Sequence, residues 1–145
     1  MFQTVILAGN LGRDPEMRYT PTGQAVTSFS VATNRQWTNN NGEIVKETIW
    51  FRVSVWGKMA EVCNQYLKKG SKVLVEGRLT ADPNTGGPRV WVGQDGQPRA
   101  SFEVSAQTVR FLSSRAESGE ASAGGTAFPE DLALNGGDAD ENIPF

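Results

Sequence analysis

Two tryptophans and an arginine alternate with apolar residues in the segment 48–56, and these three side chains have the chemistry to bind a nucleic acid. If the segment is a β-strand, successive side chains point to opposite faces, so Trp50, Arg52 and Trp56 share one face. An indole ring offers a flat surface for base stacking, and a guanidinium group can hold a phosphate. The opposite face is uniformly apolar and is predicted to pack against a core; it carries Ile49, Phe51, Val53 and Val55.

The other two tryptophans also have basic neighbours. Trp37 follows Arg35 by two residues, which places both side chains on the same face of a strand. Trp91 lies between two arginines in a long predicted loop, residues 81–98. Aromatic residues interleaved with basic ones are typical of proteins that bind single-stranded nucleic acid.

These tryptophans have a second interpretation. An aromatic face on a strand can be buried in a subunit interface or beneath a loop. The corresponding hypothesis is an adaptor whose aromatic strand face binds protein and whose body binds no nucleic acid. A loop residue such as Trp91 can also anchor its own loop.

The residue counts argue against an enzyme. The chain contains no histidine and one cysteine, Cys63. These counts exclude an intrachain disulfide, a zinc site of the usual His/Cys type and a His-dependent triad. No phosphate-binding glycine loop is present, and the acids of the body are not clustered to hold a metal. We therefore expect a binding protein with no cofactor, no metal and no catalytic residue.

Charge is divided unevenly along the chain, although the net charge is only −2. Residues 1–115 hold all 14 lysines and arginines and 9 of the 16 acids, whereas residues 116–145 hold the other 7 acids and no base. A basic body with an acidic tail is typical of a domain that binds a polyanion and carries an interaction segment. A nearly neutral domain with a solubilising tail fits the charges equally well.

Strands must position the aromatic side chains, because period-two apolar patterns dominate the body of the chain. Strands are predicted at residues 2–11, 25–37, 47–56, 72–80 and 100–112. Asn41 followed by Gly42 signals a hairpin between the second and third of them. Helical apolar spacing predicts one amphipathic helix over residues 58–69, closed by two lysines and ended by Gly70. An all-β chain with one short helix between its third and fourth strands has the order of the five-stranded OB-fold barrel.

The composition changes near residue 113. Residues 114–137 are small, polar and rich in glycine, which is typical of a flexible linker. Residues 138–145 join acids to an apolar end that carries Phe145 and the free carboxylate. We therefore predict one OB-fold domain over residues 1–113, followed by a disordered acidic C-terminal tail. Because no apolar run could cross a membrane and no secretory signal opens the chain, we expect a cytoplasmic protein.

Several segments, taken in order, resemble the bacterial single-stranded DNA-binding protein family. They are Val5-Ile-Leu-Ala-Gly-Asn-Leu-Gly-Arg-Asp-Pro-Glu-Met-Arg-Tyr19, Trp50-Phe-Arg-Val, Trp56-Gly-Lys58, Tyr66-Leu-Lys-Lys-Gly-Ser71, Val75-Glu-Gly77 and, at the end, Ile143-Pro-Phe145. The resemblance implies an OB fold, a homotetramer, and sequence-independent coating of single-stranded DNA in replication, recombination and repair. It also implies association with the nucleoid.

The resemblance assigns roles to individual residues. The stacking aromatics of the family fall at Trp37, Trp50, Trp91 and, where phenylalanine is common, Trp56; basic groove positions fall at Arg52, Lys58 and Lys69, and Arg35 lies beside Trp37. The family's acidic tip, which implies recruitment of partner proteins, falls at Asp138, Asp140, Glu141, Ile143, Pro144 and Phe145. Two features depart from the family pattern: the loop 81–98 is longer, and Asn142 stands where an acid is common.

Overall fold

Seven strands and one helix make up residues 1–113, the part of the chain that the computed structural model describes. In chain order they are β1 (Val5–Leu11), β2 (Glu16–Tyr19), β3 (Ala25–Thr38), β4 (Ile44–Trp56), α1 (Lys58–Tyr66), β5 (Lys72–Thr80), β6 (Arg89–Val92) and β7 (Pro98–Phe111). Five of these strands correspond to the predicted ones, whereas β2 and β6 are additional. No helix within this part of the chain is long and apolar enough to cross a membrane.

Five strands close into a barrel. They lie in the order β1-β5-β7-β4-β3, and β3 pairs back with the end of β1 to complete the circle. The pair β4–β7 is parallel, and the other barrel pairs are antiparallel. With α1 between the third and fourth barrel strands in chain order, this confirms the predicted OB-type barrel. Outside the barrel, β2 pairs with β3, and β6 forms a hairpin with β7.

Two glycines allow the barrel strands to approach closely. A Cβ atom on Gly9 of β1 would overlap the backbone carbonyl of Ala32 in β3, and one on Gly77 of β5 would overlap the carbonyl of Ser105 in β7. The register of β5 against β7 also shifts between residue 76 and Gly77. Both positions therefore need a residue without a side chain, at places where the sheet bends to close.

The core fills the inside of the barrel. Its fully buried side chains include Phe29 and Val31 from β3 and Val53 and Val55 from β4, which confirms the predicted apolar face of β4. The helix covers this core through its buried residues Ala60 and Cys63. The one buried polar side chain among residues 1–113 is that of Thr27, whose hydroxyl donates a hydrogen bond to the helical carbonyl of Ala60 at 2.6 Å.

Helix α1 is shorter than predicted, because it ends at Tyr66 rather than at residue 69. Leu67 takes an extended backbone conformation (φ −88°, ψ 146°) and is buried. The backbone N–H of Lys69 then donates to the carboxylate of Asp14 at 2.8 Å, so a side chain from a distant segment replaces the next helical turn. The left-handed Gly70 (φ 88°) consequently belongs to the turn after the helix and not to its C-cap, and no lysine lies in the last helical turn.

The predicted loop 81–98 contains a strand. Two turns with left-handed glycines, Gly86 and Gly96, flank β6, which pairs with the beginning of β7 in a hairpin. The prediction that Trp91 lies in a loop is therefore wrong. By contrast, the hairpin predicted between β3 and β4 is confirmed: Gly42 has a φ of 78°, and the backbone N–H of Asn39 donates to the carbonyl of Glu43 at 2.9 Å.

Candidate nucleic-acid interface

Strand β4 places Trp50, Arg52 and Trp56 on the outer face of the barrel, opposite the buried Val53 and Val55. The two indoles are half-exposed, at 53% for Trp50 and 44% for Trp56. Alternate residues of a strand lie about 6.8 Å apart, so this row is about 20 Å long. The row presents aromatic, cationic and aromatic groups to solvent in that order, which is the arrangement predicted for a stacking surface.

The ring of Trp50 lies against the end of β1. A Cβ atom on Gly12 would come within 2.6 Å of the Cη2 atom of this indole, so the glycine leaves the space that the ring occupies. The backbone N–H of Gly12 is held by the carbonyl of Ser30 at 3.1 Å. The hydrogen bond from the Lys69 backbone to Asp14 brings the predicted groove lysine to this same end of β1. The indole therefore has a firm support beneath it, while about half of its surface stays accessible.

The β6–β7 hairpin adds a third tryptophan to this face. Glu103 of β7 lies beside Arg52 of β4, and Arg99, four residues earlier in β7, points to the same side. Trp91 of β6 lies directly opposite Arg99 and shares its face. The register therefore brings Trp91 to the outer face that carries the β4 row, although 35 residues separate Trp56 from Trp91 in the sequence.

Trp37 and Arg35 lie on the other face of the β3–β4 hairpin. Trp50 lies opposite Ala32 of β3 and shares its face. Trp37 lies five residues after Ala32 on the same strand, and an odd separation places the two on opposite faces. The Cζ atom of Arg35 lies 4.7 Å from the centroid of the Trp37 ring, a cation–π contact that confirms their predicted common face. The structure thus does not bring this pair together with the other three tryptophans.

The basic groups of the outer face differ in their partners. Arg52 makes no ion pair with any residue in the range 1–113. Lys58, the first residue of α1 and two residues after Trp56, lies 3.7 Å from the carboxylate of Glu61, and both side chains are exposed. Such exposed pairs contribute little and are screened by salt. Arg52 and Lys58 are thus available to a phosphate.

The two arginines beside Trp91 also face carboxylates, and one of them is hydrogen-bonded. The Nη2 atom of Arg99 donates to the Oδ2 atom of Asp95 at 3.0 Å, and the Nη1 atom of Arg89 lies 3.8 Å from the Oε1 atom of Glu103. The hydrogen bond from Arg99 holds the pKa of Asp95 below its ordinary value. Asp95 is therefore ionised throughout the neutral range.

One basic residue of this face is absent from the sequence-based set. Arg18 lies opposite Val26, which in turn lies opposite Trp56, so Arg18 occupies the same cross-strand row as that indole, two strands away. The strand β2 that carries it has only four residues, too few for its alternation to indicate a strand from the sequence alone.

The remaining predicted sites have no counterpart in the described structure. The residues predicted to bind partner proteins lie outside the described residues; they are Asp138, Asp140, Glu141, Ile143, Pro144 and Phe145. Within residues 1–113, no three His, Cys, Asp or Glu side chains are grouped so that they could hold a metal ion. The only cysteine, Cys63, is buried beneath the helix, and burial raises its pKa to about 11.

Comparison with solved structures shows the same barrel in other chains. The Plasmodium falciparum SSB in complex with single-stranded DNA has a TM-score of 0.64 and 28% sequence identity, covering 78% of this chain and 97% of that one. A deletion mutant of the single-stranded DNA binding protein from Thermus aquaticus has a TM-score of 0.60 and 32% identity, covering 78% of this chain and 51% of that one.

Comparison of sequences gives the same relationship. A single-stranded DNA-binding protein of Neisseria meningitidis serogroup A is 41% identical over 126 residues, which cover 87% of this chain. This chain spans 66% of the length of that relative. A protein of the same name from Wolinella succinogenes is 42% identical over 118 residues, which cover 81% of this chain and 68% of that protein. Residues 2–112 match the family described as the single-strand binding protein family, and the chain belongs to that family.

Proposed function

We propose that this protein binds single-stranded DNA without sequence preference and performs no catalysis. The observation that carries the proposal is the outer barrel face, where Trp50, Arg52, Trp56 and Trp91 are exposed together. Members of this family bind single-stranded DNA and are not enzymes, and one solved neighbour is a complex with single-stranded DNA.

Binding of this kind follows from the chemistry of the surface. Every base has an aromatic face, so an exposed indole can stack on any of them, and each stacked base contributes about 1–3 kcal/mol. Phosphates would be held by Arg52 between two indoles, with Lys58 at the beginning of α1 and Lys69 beside the end of β1. A duplex keeps its bases stacked on one another and offers these indoles no free base face, which explains a preference for single strands.

The length of the surface suggests how much DNA one chain engages. The β4 row is about 20 Å long, and neighbouring phosphates of one strand are about 3.4 Å apart along a helical axis. Because bases that stack on indoles instead of on one another extend the strand beyond this spacing, the row alone would accommodate fewer than about six nucleotides. A strand that also stacks on Trp37 must pass around the edge of the β3–β4 hairpin, because this indole lies on the opposite face.

The test is a titration with labelled oligo-dT, oligo-dA and a duplex of equal length, monitored by fluorescence anisotropy. We expect comparable affinities for the two single strands and much weaker binding of the duplex. Binding should also quench tryptophan emission, since stacking places bases on indoles. Tight binding of the duplex, or no binding of any oligonucleotide by folded protein, would support the adaptor hypothesis instead.

We further propose that the protein is a cytoplasmic, nucleoid-associated homotetramer that acts in replication, recombination and repair. Family membership supports this assignment. The acidic tip would recruit other proteins of these pathways, because Ile143 and Phe145 offer apolar side chains to a pocket and the neighbouring acids attract a basic rim.

Two measurements test these additional roles. Sedimentation velocity should give the mass of four chains. A pull-down should lose its partners when residues 138–145 are deleted. Identical partners for the intact and truncated proteins would contradict a role of the tip in recruitment.

A further inference from the structure

The β6–β7 hairpin differs from the β4 row in one respect: Arg99, opposite Trp91, already donates a hydrogen bond to a carboxylate, and Arg89 lies near another. Trp91 lies between Arg89 two residues earlier and Arg99 on the facing strand. Arg99 donates to Asp95 at 3.0 Å, and Arg89 lies 3.8 Å from Glu103. Arg52 has no such partner within residues 1–113. A phosphate that reaches Arg99 therefore meets a guanidinium that already donates a hydrogen bond to a carboxylate.

The turn between β6 and β7 holds the carboxylate of Asp95 in place. The Oδ1 atom of Asp95 accepts a hydrogen bond from the backbone N–H of Gln97 at 3.2 Å, while its Oδ2 atom accepts the one from Arg99. A Cβ atom on Gly93 would come within 2.6 Å of the Asp95 Oδ1 atom and 2.9 Å of the Arg99 Nε atom. The pair thus packs across the bare backbone of Gly93, and it is positioned by the turn.

The same residues line an open cleft. Trp91, Gly93, Gln94, Asp95 and Arg99 surround a volume of about 380 Å³, a size found for small-ligand sites. One side of the cleft is an indole suited to a base, and another is a guanidinium suited to a phosphate. The Asp95 carboxylate occupies the guanidinium donor that the phosphate of a stacked nucleotide would use.

We propose that Asp95, assisted by Glu103, substitutes for a DNA phosphate on the arginines of the β6–β7 hairpin, so that a strand engages Trp91 only by displacing these carboxylates. This inference rests on the proposed function. When a phosphate displaces Asp95, one anion replaces another on Arg99 and little additional charge is neutralised. A phosphate that binds Arg52 displaces no carboxylate, so the whole ionic contact adds to the affinity. The hairpin is therefore the weaker part of the interface, filled after the β4 row and released first.

The decisive variant is Asp95→Asn, which keeps an oxygen for the Gln97 N–H but removes the charge that balances Arg99. We expect up to about a fivefold gain in affinity for oligo-dT at low salt, the upper range for an exposed ion pair. The slope of log affinity against log salt should steepen by about 0.7, the value for one additional phosphate contact on a single strand.

Asp82→Asn is the matched control. It removes the same charge from the turn before β6, where Asp82 accepts the backbone N–H of Asn84 and pairs with no base in the described part of the chain. Its affinity should change little and its salt slope not at all. Equal gains in affinity and slope for the two variants would show a general effect of net charge and would overturn the proposal.

A double-mutant cycle tests the mechanism itself. In an Arg99→Gln background, Asp95→Asn should raise the affinity for oligo-dT no more than Asp82→Asn does, because the guanidinium that Asp95 occupies is absent. A full gain in that background would also overturn the proposal. The parent protein tests the proposed function separately: if it fails to bind oligo-dT at all, the proposed function is wrong. If the parent binds oligo-dT but Asp95→Asn and Asp82→Asn change affinity and salt slope equally, only the displacement is rejected.

Discussion

Replacing Trp50 by alanine should weaken DNA binding strongly and stability only moderately. Loss of one stacking platform costs about 1–3 kcal/mol, which is a fivefold to about 150-fold loss of affinity for oligo-dT. The indole is 53% exposed and rests on Gly12, so truncation also removes some packing. A fully buried tryptophan costs about 3–5 kcal/mol when it is cut to alanine, and a half-exposed one about 2 kcal/mol.

Val53→Ala is the matched control for this variant. Val53 lies three residues along the same strand, is fully buried and faces the core. Removing two carbon groups at about 0.8 kcal/mol each, together with the resulting cavity, should cost about 2–3 kcal/mol of unfolding free energy. The two variants therefore lose similar stability, but only Trp50→Ala should lose DNA affinity. A domain of ordinary stability remains folded in both cases.

The assay combines urea unfolding with fluorescence anisotropy of a labelled oligo-dT, which does not depend on the number of tryptophans. Affinity is expressed per folded molecule. If Trp50→Ala binds as tightly as the parent protein, or if Val53→Ala weakens binding to the same degree, then the indole acts through stability alone and the stacking argument is refuted.

Three further substitutions test individual contacts. Gly12→Ala should push the Trp50 ring into solvent and shift its emission to longer wavelength, and an unchanged spectrum would contradict the contact. Gly9→Ala should lower the unfolding free energy by about 1–3 kcal/mol, because its methyl group meets the backbone of Ala32; parent-like urea unfolding would argue against this closure. Burial raises the pKa of Cys63 from 9.0 to about 11, so the unfolded chain ionises first and stability should fall as pH rises between these values. Cys63→Ala should lack this component, and parallel stability curves for the two proteins would count against it.

The β4 row could be predicted because its signal is local. Strict alternation of Trp50, Arg52 and Trp56 with buried aliphatic residues defines both faces of the strand without knowledge of its neighbours. The face of Trp37 was also within reach, since Trp37 lies an even number of residues after the buried Phe29 and Val31 on the same strand.

The rest depends on contacts between distant segments. Helix α1 ends before residue 69 because the backbone N–H of Lys69 donates to the carboxylate of Asp14, which lies 55 residues earlier in the chain. Strand β6 has only four residues between two glycine turns, and it becomes a strand by pairing with β7. The position of Trp91 on the β4 face follows from the parallel pairing of β4 with β7, which no local pattern encodes.

Photo-crosslinking tests the central claim most directly. Oligo-dT containing 5-iodouracil is irradiated in complex with the protein, and the attached residues are identified by mass spectrometry. The outer barrel face predicts attachment at Trp50 and Trp56 in every complex, with Trp91 joining when the DNA is long enough to reach the β6–β7 hairpin. Efficient attachment confined to residues outside this face, with none at Trp50 or Trp56, would contradict the assignment of this surface to single-stranded DNA.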